Sequence, residues 1–179
     1  MKSSFAKVVF LVVFVAALAQ AQNQPPSTPM GGMSEMHKPA PPAAPLEIKF
    51  GDKSTTWTPA TLATLPHVTV SVHNEHTKAE ETYSGVPLIA LLTPLGVTDK
   101  PHGKDLRLYL VAAGSDGYEA VYSIGEVTPD VHDATVIVAD TKNGKPLTGD
   151  GPLKLISTGE KRPARWVRNL VAIKVQAAE

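Results

Sequence analysis

The sequence contains no cysteine among its 179 residues. A chain without cysteine forms no disulfide and offers no thiolate to a metal ion or to nucleophilic chemistry. It also lacks a surplus of charge, because 17 lysines and arginines balance 17 aspartates and glutamates. Proteins that bind nucleic acid through its phosphates need a basic surplus, so this balance argues against nucleic acid as a partner.

Several common functional motifs are missing as well. The sequence has no glycine-rich nucleotide loop, no nucleophile elbow and no zinc-ligand spacing. It also lacks an apolar run of the roughly 20 residues that a membrane-spanning helix needs. The apolar run near the N-terminus extends only from Val8 to Leu18.

Residues 1–21 have the pattern of a secretory signal peptide. Lys2 and Lys7 precede the apolar run, and small residues after it form A-x-A cleavage sites that end at Ala19 and Ala21. We therefore predict export, a periplasmic or secreted location and no membrane span after cleavage. A membrane anchor is the alternative, but the run is too short for one.

Residues 22–45 are rich in proline, and we predict a disordered linker there because such a segment buries little apolar surface. The linker contains Met30, Met33, Met36 and His37, which are soft ligands of the kind that bind copper. The alternative is a low-complexity linker that happens to contain methionines. We favour the linker, because scattered ligands are commoner than preorganised sites.

Residues 46–179 have the strand and helix patterns of one α+β domain. Alternating or continuous apolar residues predict strands at 46–50, 67–72, 106–111, 119–123, 135–139, 153–156 and 170–175. Thr58 and Pro59 predict the start of a short helix that ends by Leu65, with Thr58 as its cap. The polar run Lys78–Thr82 is interpreted as a connector before a second, apolar helix that opens near Pro87.

The segment Ala139–Val175 combines turn signals with a compact basic cluster. Within it, Lys154 lies between Leu153 and Leu155, like the polar residue of a strand that meets the core on one side. A basic cluster follows around one aromatic residue: Lys161, Arg162, Arg165, Trp166 and Arg168. Planar cations beside a large aromatic suit an anionic or flat heteroaromatic ligand. A solvated basic turn, with the tryptophan in the core, is the alternative interpretation.

The same segment resembles a known family. The order NGKPL, GDGPLKLI and KRPARWVRNLVAIKV resembles the end of the sulfite-oxidase-like molybdopterin-binding domain. Upstream, YSGVPLIALL and GSDGYEAVYSIGE resemble earlier landmarks of that domain, in the same order. The resemblance covers Leu46–Val175. It implies an α+β fold, a single sulfite-oxidase-like molybdopterin-binding domain with a mixed β-sheet and short helices around a pterin-type pocket.

The resemblance implies ligand-binding roles for two groups of residues. Arg165, Trp166 and Arg168 would anchor the ligand or stack on it. The DGY turn lies by the cofactor pocket in the family, which makes Asp116 and Tyr118 further candidates. A carboxylate accepts from the guanidine-like edge of a pterin, and a phenol stacks or donates. A hairpin turn with Tyr118 half buried is the alternative.

In catalytic members of the resembled family, the region around Val72 supplies the cysteine that ligates molybdenum. This chain has His73 and Asn74 there instead. His73 and His76 would complete the ligand pocket, or would form ordinary hydrogen bonds in a loop. Because residues three apart on a strand end do not share a face, we predict no shared metal site between the two histidines.

The chain is similar to exported, cysteine-less members of this fold that bind pterins without molybdenum. We therefore predict an exported pterin-binding protein, a non-catalytic sensor or carrier that acts through a periplasmic or membrane-protein signalling partner. The alternative is a molybdopterin-dependent oxidoreductase domain that lacks the usual cysteine ligand. Imidazole and amide groups do not reproduce a soft, anionic thiolate, which argues against a molybdenum-loaded cofactor and leaves open whether the protein is an enzyme. A copper carrier is a third possibility, and it rests on the linker alone.

Overall fold

The structure is a computed structural model that describes residues 44–75 and 77–179. The predicted signal peptide, the predicted linker up to residue 43 with its methionine cluster, and His76 lie outside the described residues. Among the described residues, no helix combines the length and hydrophobicity needed to cross a membrane.

The described residues form two β-sheets with short helices between the strands. The strands are β1 (Leu46–Phe50), β2 (Lys53–Trp57), β3 (Val68–Asn74), β4 (Ala79–Pro87), β5 (Leu108–Gly114), β6 (Glu119–Ser123), β7 (Val136–Lys142), β8 (Lys145–Pro146), β9 (Lys154–Ser157) and β10 (Leu170–Ala177). The α-helices are α1 (Pro59–Leu62), α2 (Leu88–Leu92) and α3 (Ile124–Val127). Turns of 3-10 helix lie at Thr93–Leu95, Gly103–Arg107 and Pro163–Arg165.

The first sheet has the strand order β2-β1-β10-β5-β6. It is mixed, as predicted, because β1 and β10 are parallel whereas the pairs β1–β2, β10–β5 and β5–β6 are antiparallel. The second sheet has the order β3-β4-β7-β8, with β9 also paired to β7, and all of its pairs are antiparallel. The predicted α+β class is therefore confirmed, and the strands divide between one mixed and one antiparallel sheet.

The second sheet is buried on both faces at β9 and the first half of β7, whereas most of β3 and both residues of β8 are exposed. Successive side chains of a strand point to opposite faces, and those of β7 divide accordingly. Val136 and Val138 belong to the main apolar core, whereas Ile137 and Ala139 belong to a smaller cluster that includes Trp166. The face of the sheet that carries the smaller cluster supports the candidate site described below.

Two local predictions can be compared with the structure. Thr58 caps α1 and Pro59 is its first residue, as predicted, although the helix already ends at Leu62. The connector predicted at Lys78–Thr82 is wrong, because β4 begins at Ala79 and α2 follows directly after it. These polar residues form a strand although their pattern does not predict one, and one of them, Glu81, is buried and hydrogen-bonded.

A close approach of β4 to β7 shapes the second sheet. A Cβ atom on Gly85 would collide with the backbone of Val138 and Ala139, and the pairing register shifts at this point. The shift leaves Asp140 as the extra residue of β7. Its carboxylate accepts a hydrogen bond from His67 Nε2 at 2.9 Å, which ties the start of β3 to β7 across β4.

Candidate functional site

A cleft of about 1080 Å³ lies over the smaller apolar cluster. Its volume slightly exceeds the range of about 300–1,000 Å³ typical of small-molecule sites. The lining comes from the end of β3 and the turn after it, the β5–β6 turn, the loop before β9 and the first residue of β9, and the loop before β10. Its residues are Asn74, Glu75, Lys78, Asp116, Tyr118, Asp150, Lys154, Lys161, Arg162, Pro163, Ala164, Trp166 and Arg168.

The cleft has an excess of positive charge, because five of its lining residues are lysine or arginine and three are acidic. The acidic side chains all have partners within the protein. Glu75 lies 2.5 Å from the Lys78 ammonium, and Asp150 lies 2.6 Å from that of Lys154. Asp116 accepts a hydrogen bond from the backbone N–H of Tyr118 at 3.0 Å. The cleft therefore suits an anionic ligand.

Lys154 forms the floor of the cleft, and its side chain is only 8% exposed. Besides the ion pair with Asp150, its ammonium lies 5.4 Å from the ring centroid of Tyr83 and 5.3 Å from that of Trp166. Both distances fall within the range of cation–π attraction. The prediction that Lys154 is the outward-facing residue of its strand is wrong, because the residue is buried and aromatic rings from two distant segments lie against its ammonium.

Trp166 is held in place from several sides. Its indole N–H donates to the carbonyl of Ser157 at 3.0 Å, and Tyr83 meets its ring edge-on at a centroid distance of 5.8 Å. The residue is only 8% exposed. Trp166 therefore lines the cleft and is also part of the core, where the alternative interpretation of the sequence placed it.

A buried polar network fixes the aromatic floor from below. The Tyr83 hydroxyl donates to Glu81 at 2.8 Å, and Glu81 also accepts from Asn74 at 2.8 Å and pairs with Lys142 at 2.9 Å. Burial alone would raise the pKa of Glu81, but the hydrogen bonds from Lys142, Tyr83 and Asn74 outweigh it and lower that pKa. Burial and the bond to Glu81 raise the pKa of Tyr83, so its hydroxyl stays a donor.

Asp150 links the floor of the cleft to its wall. One of its oxygens pairs with Lys154, and the other lies 3.9 Å from the guanidinium of Arg168. The Asn169 N–H donates to the Asp150 carbonyl at 2.6 Å. Gly151 has a φ of +79°, and a Cβ atom there would collide with Asn169. This tight contact places the turn at Asp150 beside the turn at Asn169, and it therefore brings Lys154 and Arg168 close to the same carboxylate.

The structure brings four of the predicted ligand-binding residues to the same cleft: Asp116, Tyr118, Trp166 and Arg168. Tyr118 is 43% exposed, and its hydroxyl donates to the Ala164 carbonyl, which joins the β5–β6 turn to the opposite loop. The Arg168 side chain is 64% exposed at the wall.

Arg165 does not line the cleft. Its guanidinium covers the ring of Tyr122 at 4.6 Å, pairs with Glu126 at 2.9 Å and hydrogen-bonds Glu160 through Nε, also at 2.9 Å. A further N–H donates to the Val121 carbonyl at 3.2 Å. Hydrogen bonding to Glu126 raises the pKa of Arg165, in keeping with a permanently charged structural residue.

His73 also lies away from the lining. Its ring Nδ1 is 2.9 Å from Glu80, and its side chain is 47% exposed. Its neighbour Asn74 lines the cleft instead, as expected where successive residues of a strand face opposite sides. The second predicted histidine, His76, lies outside the described residues.

The residues of the cleft do not fit a thiolate-ligated molybdenum centre. The sequence supplies no cysteine. Among the described residues, no group of three or more histidines, cysteines, aspartates and glutamates is placed to hold a metal ion. The group at the floor is an ammonium, Lys154, which repels a metal cation.

With its two sheets and short helices, the protein has an α+β fold that is similar to the fold of a solved oxidoreductase. That structure, one of several that are similar, is sulfane dehydrogenase SoxCD from Paracoccus pantotrophus, with a TM-score of 0.58 and 22% sequence identity. The match covers 76% of this chain and 39% of that chain. At this identity the likeness concerns the fold, and this chain spans about two fifths of the enzyme chain it resembles.

The sequence comparisons are less informative. No family model matches the chain. Among curated proteins, 82 residues align at 33% identity with the DNA primase small subunit PriS of Thermoplasma volcanium. The alignment covers 46% of this chain and 23% of that protein, so the chain spans less than a quarter of the curated relative it matches.

Proposed function

We propose that the protein is an exported pterin-binding protein, a sensor or carrier that acts through a protein partner. The observation that carries this proposal is the convergence of Asp116, Tyr118, Trp166 and Arg168 on one cationic cleft. These residues come from two distant segments of the chain, and the fold is one that is built around a pterin pocket in the resembled family. The cleft offers charge, aromatic surface and a carboxylate together, which are the groups that a planar heteroaromatic ligand needs.

The two walls have different chemistry. Asp116 supplies an acceptor for the amino edge of a pterin, and the half-exposed ring of Tyr118 supplies a surface for contact. Arg168 supplies a cation on the other wall. A sensor needs two states that bind the ligand with different affinity. In this proposal, ligand capture between the β5–β6 turn and the loop before β10 changes the surface that the partner meets.

The alternative function is a molybdopterin-dependent oxidoreductase domain. The fold likeness to sulfane dehydrogenase SoxCD favours it. The absence of cysteine and the ammonium at the floor of the cleft argue against a molybdenum-loaded cofactor. Elemental analysis of protein purified from its native compartment separates the two functions, because near one molybdenum per chain supports only the oxidoreductase.

Pterin binding is tested by fluorescence titration of the purified protein with pterin. We expect saturable binding, and we expect Arg168→Met to weaken it by about 1.5–3 kcal/mol, the usual loss for a hydrogen bond to a charged group. Arg107→Met is the matched control, because Arg107 does not line the cleft and donates to the carbonyl of Ala178. Absence of saturable binding, or equal losses in the two variants, would contradict the proposal.

A further inference from the structure

We infer that the cleft binds its pterin in the ionised form, with the Lys154 ammonium against the deprotonated lactam edge of the ring. The inference rests on the proposed function and concerns the chemical form of the ligand. It also assigns different roles to the cations of the cleft, since Lys154 acts on the ligand at the floor and Arg168 at the wall, whereas the exposed Lys161 and Arg162 only add to the general field.

The hydrogen-bonding state of Lys154 carries the first step. An ammonium group has three N–H donors. Among the described residues, Asp150 is the oxygen acceptor that reaches this ammonium, at 2.6 Å. The rings of Tyr83 and Trp166, at 5.4 and 5.3 Å from Nζ, offer π-faces and no oxygen. The ammonium therefore keeps donor capacity for a ligand oxygen that enters from the cleft.

The charges around Lys154 carry the second step. The Asp150 carboxylate is shared with Arg168, which lies 3.9 Å from its other oxygen. On the β4 side, Tyr83 remains a neutral phenol, and Glu81 behind it is paired with Lys142 at 2.9 Å. Two cations thus face a single carboxylate, so this part of the cleft has excess positive charge, and the buried Lys154 ammonium is the less screened of the two cations.

The chemistry of the ligand supplies the third step. The lactam of a pterin loses its ring N–H proton in mildly alkaline solution, and the negative charge spreads over that nitrogen and the adjacent carbonyl oxygen. A nearby cation favours the charged form and lowers the pKa of the group beside it. The proton passes to solvent and no covalent bond to Lys154 forms. The site would accordingly select heteroaromatic rings with an ionisable lactam.

The experiment is an absorbance titration of unsubstituted pterin from neutral to alkaline pH, free and with saturating protein. We expect the bound lactam to ionise at least about one pH unit below the free ligand, a tenfold change in proton affinity. Lys154→Met should abolish most of this shift. Lys161→Met is the matched control, since it removes the same charge from an exposed position of the same lining and should leave most of the shift in place.

A second measurement keeps the inference testable if Lys154→Met does not fold, which circular dichroism would show. A pterin methylated at the lactam nitrogen cannot ionise there, and wild-type protein should bind it at least about tenfold more weakly than pterin, by loss of a charged hydrogen bond. An unshifted midpoint in the wild type, a shift that survives Lys154→Met, or equal affinity for the methylated ring would overturn the inference alone. Absence of any pterin binding would overturn the proposed function together with it.

Discussion

Two clusters in this protein combine a cation, aromatic rings and carboxylates, yet they differ in how fully the cation is neutralised. Arg165 covers Tyr122 and is bonded to two carboxylates, those of Glu126 and Glu160, and to a backbone carbonyl. Lys154 lies against two aromatic rings, and its carboxylate partner is Asp150. The first cluster is saturated by the protein itself, whereas the second opens into the cleft.

The difference shows how to separate structural cations from ligand-binding ones. A guanidinium with two carboxylate partners has little left to offer a ligand, although the sequence around Arg165 suggested a binding role. A buried ammonium that shares one carboxylate with Arg168 retains charge and donor capacity. Among the charged groups, stability should therefore depend on those of the first cluster, and ligand binding on those of the second.

The largest effect is expected for the aromatic floor of the second cluster. Trp166→Ala removes a buried ring with a hydrogen bond to Ser157, and we expect it to lower the free energy of unfolding by about 3–5 kcal/mol. Urea denaturation of the variant measures this loss. Tyr118→Ala is the control at the exposed wall and should cost less than about 1.5 kcal/mol. If the two variants lose equal stability, Trp166 is not part of the core.

The second prediction compares the two arginines directly. Arg165→Met keeps the contact with Tyr122 but leaves Glu126 and Glu160 without their cation, and we expect it to cost about 1–3 kcal/mol of stability. Arg168→Met should change stability by no more than about 0.5 kcal/mol, because its side chain is mostly exposed. Thermal or urea unfolding measures the stability of both variants, and titration with pterin measures their binding. The comparison fails if Arg165→Met weakens pterin binding as much as Arg168→Met does.

The smallest effects are expected in the pH dependence of stability, where Glu126 of the first cluster and His67, the residue before β3, act with opposite sign. Burial would raise the pKa of Glu126, but hydrogen bonds from Ser123 and Arg165 lower it below 4.5. This contribution is present above pH 4.5 and is lost as the pH falls through the folded value. We expect Arg165→Met to reduce this loss of stability at acid pH.

His67 has the opposite effect, because its contribution to stability is lost as the pH rises. One ring nitrogen faces the Leu65 carbonyl at 2.7 Å and the other faces Asp140 at 2.9 Å, so both nitrogens act as donors in the charged ring. The bond to Asp140 outweighs burial and raises the pKa of His67 above 6.5. Its contribution is present below pH 6.5 and is lost as the pH rises through the folded value. Unfolding curves of His67→Gln across this range should lack that loss, and a variant with an unchanged alkaline limb would contradict the assignment.

Much of the local structure follows from the sequence. Apolar alternation located most strands, because the side chains of a strand alternate between core and solvent. Thr58 and Pro59 marked the start of α1, because caps depend on adjacent residues alone. The order of several short sequence landmarks predicted the fold class. It also predicted that Asp116, Tyr118, Trp166 and Arg168 lie near one pocket.

Only the tertiary structure decided the role of each cation. Residues that neighbour each other in the chain send their side chains to different places, because the turn before β10 directs Arg165 towards Glu126 and Arg168 towards Asp150. Lys154 reads as a solvent-facing residue in its strand, and it is buried because Tyr83 and Trp166 arrive from other elements. Local patterns record whether a residue is polar, whereas the partner that neutralises a charge comes from distant parts of the chain that meet only in the folded protein.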